Sequence, residues 1–174
     1  MKILIISDIH GISKNLKKVL DIYNKEKCNF IFCLGDLFSP GWDSEEVEDL
    51  LNSKASNIIC MKGNNDTYIY GRLYFNLVDG YLKQNVDNHN FYLTHGHRYN
   101  RDIHPFLNDG DILVYGHTHR GMLLKENNKY YINPGSLSLP RDGTDGSYII
   151  YENNRFNLYD IDNNLIDSLL IEGD

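Results

Sequence analysis

Two rhythms of apolar and polar positions divide the chain near residue 75. In the first, short apolar runs alternate with stretches of helical spacing. Residues 2–7 read as a buried strand around Ile3, Leu4, Ile5 and Ile6. Leu16, Val19, Leu20 and Tyr23 then recur on one helical face over 13–26, with Ser13 as the expected N-cap. A second strand is expected over 29–34. Asp43, with Glu46 three residues later, marks a capping-box-like start for a helix to residue 51. A third strand is expected over 57–61. Strand, helix, strand, helix, strand predicts parallel pairing through right-handed crossovers.

Beyond residue 75 the period drops to that of strands. They are expected at 81–86, 90–94, 112–115, 122–126, 129–133, 147–152, 155–161 and 164–171. Several are joined by E-N-N-K, E-N-N-R and D-N-N-L. Asn tolerates positive φ, so these read as hairpin turns. The expectation is one domain over 1–174, with a parallel α/β half fused to a mostly antiparallel half. Two sheets packed face to face with helices outside would fit.

The polar residues gather where the apolar runs stop. The first strand runs into Asp8 and His10, and the second into Gly35-Asp36. The third runs into Gly63-Asn64-Asn65-Asp66. The runs at 91–93 and 112–115 lead into Thr94-His95-Gly96-His97 and Gly116-His117-Thr118-His119. Five of the seven histidines fall in these sets. One such set is unremarkable, because a lone Asp or His caps many loops. Five at once point to a shared ligand at the strand ends, where open α/β sheets bind theirs. Asp8, His10, Asp36, Asn64, His95, His117 and His119 offer oxygen and imidazole donors without a thiolate. Seven donors exceed one tetrahedral zinc and suit two ions sharing a carboxylate.

Composition narrows the setting. At 174 residues, 41% apolar and 24% charged, the chain is long enough for one buried core. The apolar runs are too short for a membrane span or a signal peptide, so a cytoplasmic protein is expected. A net charge of −7 argues against a general nucleic-acid binder. Cys28, Cys33 and Cys60 lack C-x-x-C spacing and read as buried, reduced thiols. Trp42, after Pro40-Gly41, suits either a cleft wall or a homo-oligomer contact.

In order, D-x-H, G-D, G-N-x-D, T-H-G-H and G-H-T-H resemble the motifs of the calcineurin-like metallophosphoesterase superfamily. The chain's length and the N-P-G-S stretch at 133–136 are similar to its small bacterial YfcE-type phosphodiesterases. The resemblance implies a four-layer α/β/β/α sandwich of two mixed sheets. It also implies two divalent transition-metal ions, Mn foremost, with Zn, Fe, Ni or Co as alternatives. One ion would be held by Asp8, His10, Asp36 and His119, the other by Asp36, Asn64, His95 and His117. Asp36 would bridge them. Two such ions and two aspartates leave a local charge of about +2, which attracts a phosphate.

The activity so implied is hydrolysis of a small phosphodiester by a hydroxide held between the ions. A phosphomonoesterase, a nuclease or a protein-interaction scaffold is the alternative. Many relatives carry His directly after the Asn of G-N-x-D. Here that position is Asn65, which donates a hydrogen bond but transfers no proton. His97 is the nearest substitute as a catalytic group. Asp66 is expected to orient a ligand imidazole. Asn64, Asn65, Ser136 and Arg141 are the expected substrate contacts.

Overall fold

A computed structural model describes residues 1–39, 44–66 and 73–172. Trp42, Pro40, Gly41 and Asp43 lie outside them, so neither the expected cap of the second helix nor the place of Trp42 is addressed. Strand β1 (Ile3–Ile6) leads into helix α1 (Ser13–Lys25), β2 (Phe30–Cys33) and helix α2 (Ser44–Asn52). A short 3-10 turn at Ala55–Asn57 precedes β3 (Ile58–Met61), followed by β4 (Leu77–Val78), β5 (Tyr81–Val86) and β6 (His89–Thr94). The rest are β7 (Ile112–Val114), β8 (Gly121–Glu126), β9 (Lys129–Pro134), β10 (Ser147–Glu152), β11 (Arg155–Asp160) and β12 (Leu165–Leu170). The two-residue β4 was not legible in the pattern.

The strands form a seven-stranded sheet, β12-β11-β10-β1-β2-β3-β4, and a five-stranded sheet, β5-β6-β7-β9-β8. Strands β1 to β4 pair in parallel, whereas β10, β11 and β12 extend the same sheet as antiparallel neighbours. The second sheet departs from the expected meander. Its centre, β6-β7-β9, is parallel, with antiparallel hairpin partners at the two edges. The long segment from β6 to β7 makes that crossover, and hairpin turns cannot. As a result, β1, β2 and β3 in one sheet, and β6 and β7 in the other, deliver their carboxyl ends to one region.

Alternation places each strand's side chains on two faces. Ile3, Ile5, Phe32, Leu34 and Ile149 meet Phe91, Leu93, Ile112, Val114 and Ile132 between the sheets. Phe91 packs edge-on against Tyr151, with ring centroids 5.2 Å apart. Each fully buried side chain of this kind contributes about 1.5–3 kcal/mol. On the far face of the seven-stranded sheet, Leu4, Ile6, Ile31 and Cys33 meet Leu16, Val19 and Leu20 of α1 and Val47 and Leu51 of α2. Over the outer face of the five-stranded sheet, Leu107 packs on Tyr92, Leu113, Tyr115 and Tyr131. There the covering layer is the segment between β6 and β7.

Ser13 is not the N-cap of α1. Ile12 takes that position with no side-chain cap, and the Ser13 hydroxyl donates to the Glu46 carboxylate of α2. A helix-to-helix partner has displaced the local one. The hairpins at Asn127-Asn128 and Asn153-Asn154 place both turn residues at positive φ, as expected for their Asn-Asn pairs. Asp87-Asn88 does the same. Cys28, Cys33 and Cys60 are buried free thiols. Among the described residues no helix is long and apolar enough to cross a membrane.

Candidate metal centre

The strand ends bring two triads together: Asp8, His10 and His119 in one, Asp36, His95 and His117 in the other. Within each, the donor atoms lie within 4.8 Å of one another. Asp36 faces both. Its Oδ2 is 3.4 Å from His95 Nε2 and 3.8 Å from His10 Nε2. Asn64 adds an amide oxygen 3.1 Å from His95 Nε2. All seven donors expected from the sequence are therefore in one region.

Backbone shape explains why the motifs take their form. Asp8, His10, Asp36, His117 and His119 all have φ between 52° and 65°, in the left-handed region. Each costs of order 1–3 kcal/mol and persists only where its surroundings hold it. The adjacent glycines remove obstacles. A Cβ on Gly35 would stand 2.6 Å from the Gly63 amide, and one on Gly63 would overlap the Asp36 carboxylate. A Cβ on Gly116 would overlap Ser7 Oγ and lie 2.8 Å from Asp8 Oδ2. Gly63→Ala is therefore expected to cost about 1–3 kcal/mol in thermal unfolding and to weaken metal binding. A melting curve and a zinc titration matching wild type would contradict this packing.

The imidazoles are fixed from behind. His95 Nδ1 donates to the Leu34 carbonyl (2.7 Å) and His119 Nδ1 to the Leu139 carbonyl (2.6 Å). A carbonyl only accepts, so both Nδ1 atoms carry hydrogen and both Nε2 atoms face the centre. His10 Nδ1 is 2.9 Å from Ser39 Oγ, and its Nε2 lies 3.3 Å from His119 Nε2. Asp8 Oδ1 is buried, 3.3 Å from His119 Nε2. Carboxylate and imidazole atoms converging at such distances are held together by a positive charge, either a proton on the ring or a metal ion between them. The donor set thus fits two divalent ions, one per triad.

The local pKa shifts divide the four imidazoles. Burial raises the Asp36 carboxyl's pKa, but the His95 hydrogen bond and charge, with two bonds from Asn65, outweigh it and hold the group far below the usual range. Burial lowers His95, yet Asp36 wins and its pKa rises. His119 rises chiefly through its hydrogen bond to Asp8. Burial lowers His10 and His117, favouring the neutral imidazoles that bind metals.

Three expected site residues are placed otherwise than their motifs suggest. Ser136 is fully buried. Its hydroxyl donates to the Asp8 carbonyl (2.8 Å) and accepts from the Leu139 amide (2.8 Å), so it fastens the turn bearing Leu139 to the end of β1. Asp66 touches no ligand imidazole. Its buried carboxylate accepts the amides of Asp36 (2.9 Å), Leu37 (2.8 Å) and Gly63 (2.9 Å), tying the G-D loop to the G-N loop. Asn65 donates to Asp36 twice, from its backbone to Oδ1 (2.8 Å) and from Nδ2 to Oδ2 (2.7 Å).

His97 and Arg141 remain at the rim. The His97 ring is 5.3 Å from that of His95, and its buried Nδ1 has no partner among the described residues. Burial lowers its pKa, with the charges on His95 and Arg98 adding to the effect. Arg141 is exposed. Its amide donates to the His119 carbonyl (2.8 Å), and its charge bears on that imidazole. Sequence reasoning missed Ser39, and it missed Asn133, whose Nδ2 donates to the Gly116 carbonyl (2.9 Å) and orders the G-H-T-H loop. The Asn of N-P-G-S was the available signal for the latter.

Known proteins place this centre in a lineage. The chain is 30% identical over 162 residues to phosphodiesterase YfcE of Escherichia coli, covering 88% of each. The crystal structure of that phosphoesterase superposes with a TM-score of 0.94 at 29% identity, over 99% of this chain and 100% of the other. Phosphodiesterase MJ0936 of Methanocaldococcus jannaschii is 31% identical over 144 residues, 78% of this chain and 83% of its own. The fold alone is shared with zinc-complexed Vps29 of Entamoeba histolytica, at a TM-score of 0.66 and 21% identity over 99% of this chain and 100% of that one. Residues 1–155 match the calcineurin-like phosphoesterase superfamily domain. The chain belongs to the calcineurin-like phosphoesterase superfamily.

Proposed function

We propose that this chain is a metal-dependent phosphodiesterase acting on small phosphodiesters. The carrying observation is the pair of ligand triads flanking the Asp36 carboxylate. Two relatives named as phosphodiesterases support it. Mixed imidazole, carboxylate and amide donors favour a first-row transition metal, and manganese is our first choice. Ions held there lower the pKa of water and supply Lewis acidity toward phosphate oxygens.

The chain's own groups do the rest. Asp8, Asp36 and Asn64 present oxygens, and four imidazoles present nitrogen. Arg141 offers a guanidinium to an unesterified phosphate oxygen from the rim beside His119. His97, half-buried beside His95, is the imidazole left over to serve a leaving group. Three reduced thiols fit a reducing, cytoplasmic setting.

The test is to strip the protein of metal and reload it with Mn, Zn, Fe, Co or Ni, each against a panel of phosphodiesters and monoesters. Hydrolysis of diesters is expected only after reloading. Full activity of the stripped protein would overturn the reading. Loading should also raise the melting temperature. Ion at 100 times its dissociation constant stabilises by about 2.7 kcal/mol, or roughly 5–10 °C for a chain of this size. An unchanged melting curve at saturating metal would count against a built site.

A further inference from the structure

Asn65 holds a bond that a fully loaded centre has no room for. Its Nδ2 lies 2.7 Å from Asp36 Oδ2. That same oxygen faces both triads, through His95 Nε2 at 3.4 Å and His10 Nε2 at 3.8 Å. The other oxygen, Oδ1, already accepts the Asn65 backbone amide at 2.8 Å. A carboxylate oxygen has two lone-pair directions in its plane. Were Asp36 Oδ2 to serve both ions, it would use both directions and leave none for a side-chain amide.

We infer that Asn65 exchanges partners with metal loading: it holds Asp36 in the metal-free protein and is released as a phosphate donor when both ions bind. The inference rests on the two-ion reading above. Asn65 is exposed, so the released amide reaches water or substrate without rearranging the core. Its backbone bond to Oδ1 survives the exchange, which keeps the carboxylate aimed while its other oxygen changes partners. The released NH2 group stands beside Asn64 at the mouth, and there it donates to an unesterified phosphate oxygen. Substrate affinity then depends on full loading through a side chain that is not itself a ligand. A merely structural Asn would keep its bond throughout.

The test uses the full chain, stripped of metal, titrated with zinc and then with inorganic phosphate. Zinc per chain is counted by elemental analysis. In parallel, the Asn65 side-chain NH2 pair is followed by nitrogen-15 NMR, assigned by its loss in Asn65→Ala. Before zinc the pair should exchange slowly with water, as a donor to a carboxylate does. Two equivalents of zinc should accelerate that exchange, and phosphate should slow it again. Asn65→Ala should bind zinc about tenfold more tightly, because a competing charge-assisted bond is gone, and phosphate about tenfold more weakly. Two zinc ions bound with the amide still protected would overturn the exchange while leaving the two-ion reading intact. Weaker zinc binding by Asn65→Ala would also overturn it, since Asn65 would then be a permanent clamp. A zinc count of one or below would refute the two-ion reading itself, and the exchange with it.

Discussion

Asp36→Asn is expected to abolish two-ion loading and lower kcat/KM by about 10³-fold. The reasoning is electrostatic. Asp36 Oδ2 faces imidazoles of both triads at 3.4 and 3.8 Å, so its charge serves two cations together. A unit charge at about 4 Å is worth about 4 kcal/mol at an effective dielectric of 20, which corresponds to about three decades in rate. Asn keeps the shape and one oxygen, so the fold should survive and the loss should be one of charge. His10→Ala, by contrast, removes a donor from one triad and should mainly lower the occupancy of that ion. Elemental analysis of both variants under saturating manganese separates the cases. An Asp36→Asn protein that still binds two ions would remove Asp36 from its place between the triads.

The parts of this molecule legible in its sequence were those set by local pattern. The runs around Ile3–Ile6 and Ile58–Met61 read as strands because nothing polar interrupts them. The Asn-Asn turns read as hairpins because only a few residues accept positive φ. The candidate metal ligands were legible for a related reason: a carboxylate or imidazole ending a buried strand has no packing role there. What the pattern hid depends on long-range geometry. The parallel centre of the second sheet follows from a crossover whose sequence carries no helical period. Ser13 offered a cap by type, but Glu46, thirty-three positions away, took its hydroxyl. Ser136 looked like a phosphate contact, yet it binds Asp8, 128 positions distant. The left-handed backbone at five candidate ligand residues was equally hidden, because Asp and His, though enriched there among non-glycine residues, adopt positive φ in only a minority of their positions.

The placement of Ser136 and Asp66 also changes how the motifs should be understood. Both are buried, and both tie together the loops that carry the candidate ligands. Asp66 gathers the amides of Asp36 and Gly63, while Ser136 joins Asp8 to the turn whose Leu139 carbonyl fixes His119. Strained ligand backbones need such anchors, since each unsupported left-handed residue would relax. The G-N-x-D and N-P-G-S motifs therefore encode both candidate ligands and the groups that hold the ligand-bearing loops still.

The same site predicts a dependence on the leaving group. No histidine follows Asn64 in the sequence, and an amide at Asn65 has no proton to transfer. His97 is the nearest other imidazole; its Nδ1 is buried, and burial lowers its pKa. The centre should therefore cleave diesters of acidic leaving groups, such as aryl esters, well ahead of alkyl esters. General acid catalysis is worth about 10²–10⁴-fold, and the deficit should grow steadily with leaving-group pKa. Asn65→His should flatten that dependence by supplying the missing proton. The measurement is kcat/KM across a series of aryl and alkyl phosphodiesters for wild type, Asn65→His and His97→Ala. A flat wild-type series with chemistry rate-limiting would refute the missing-acid account. A shallow series that turns steep in His97→Ala would instead assign the proton to His97.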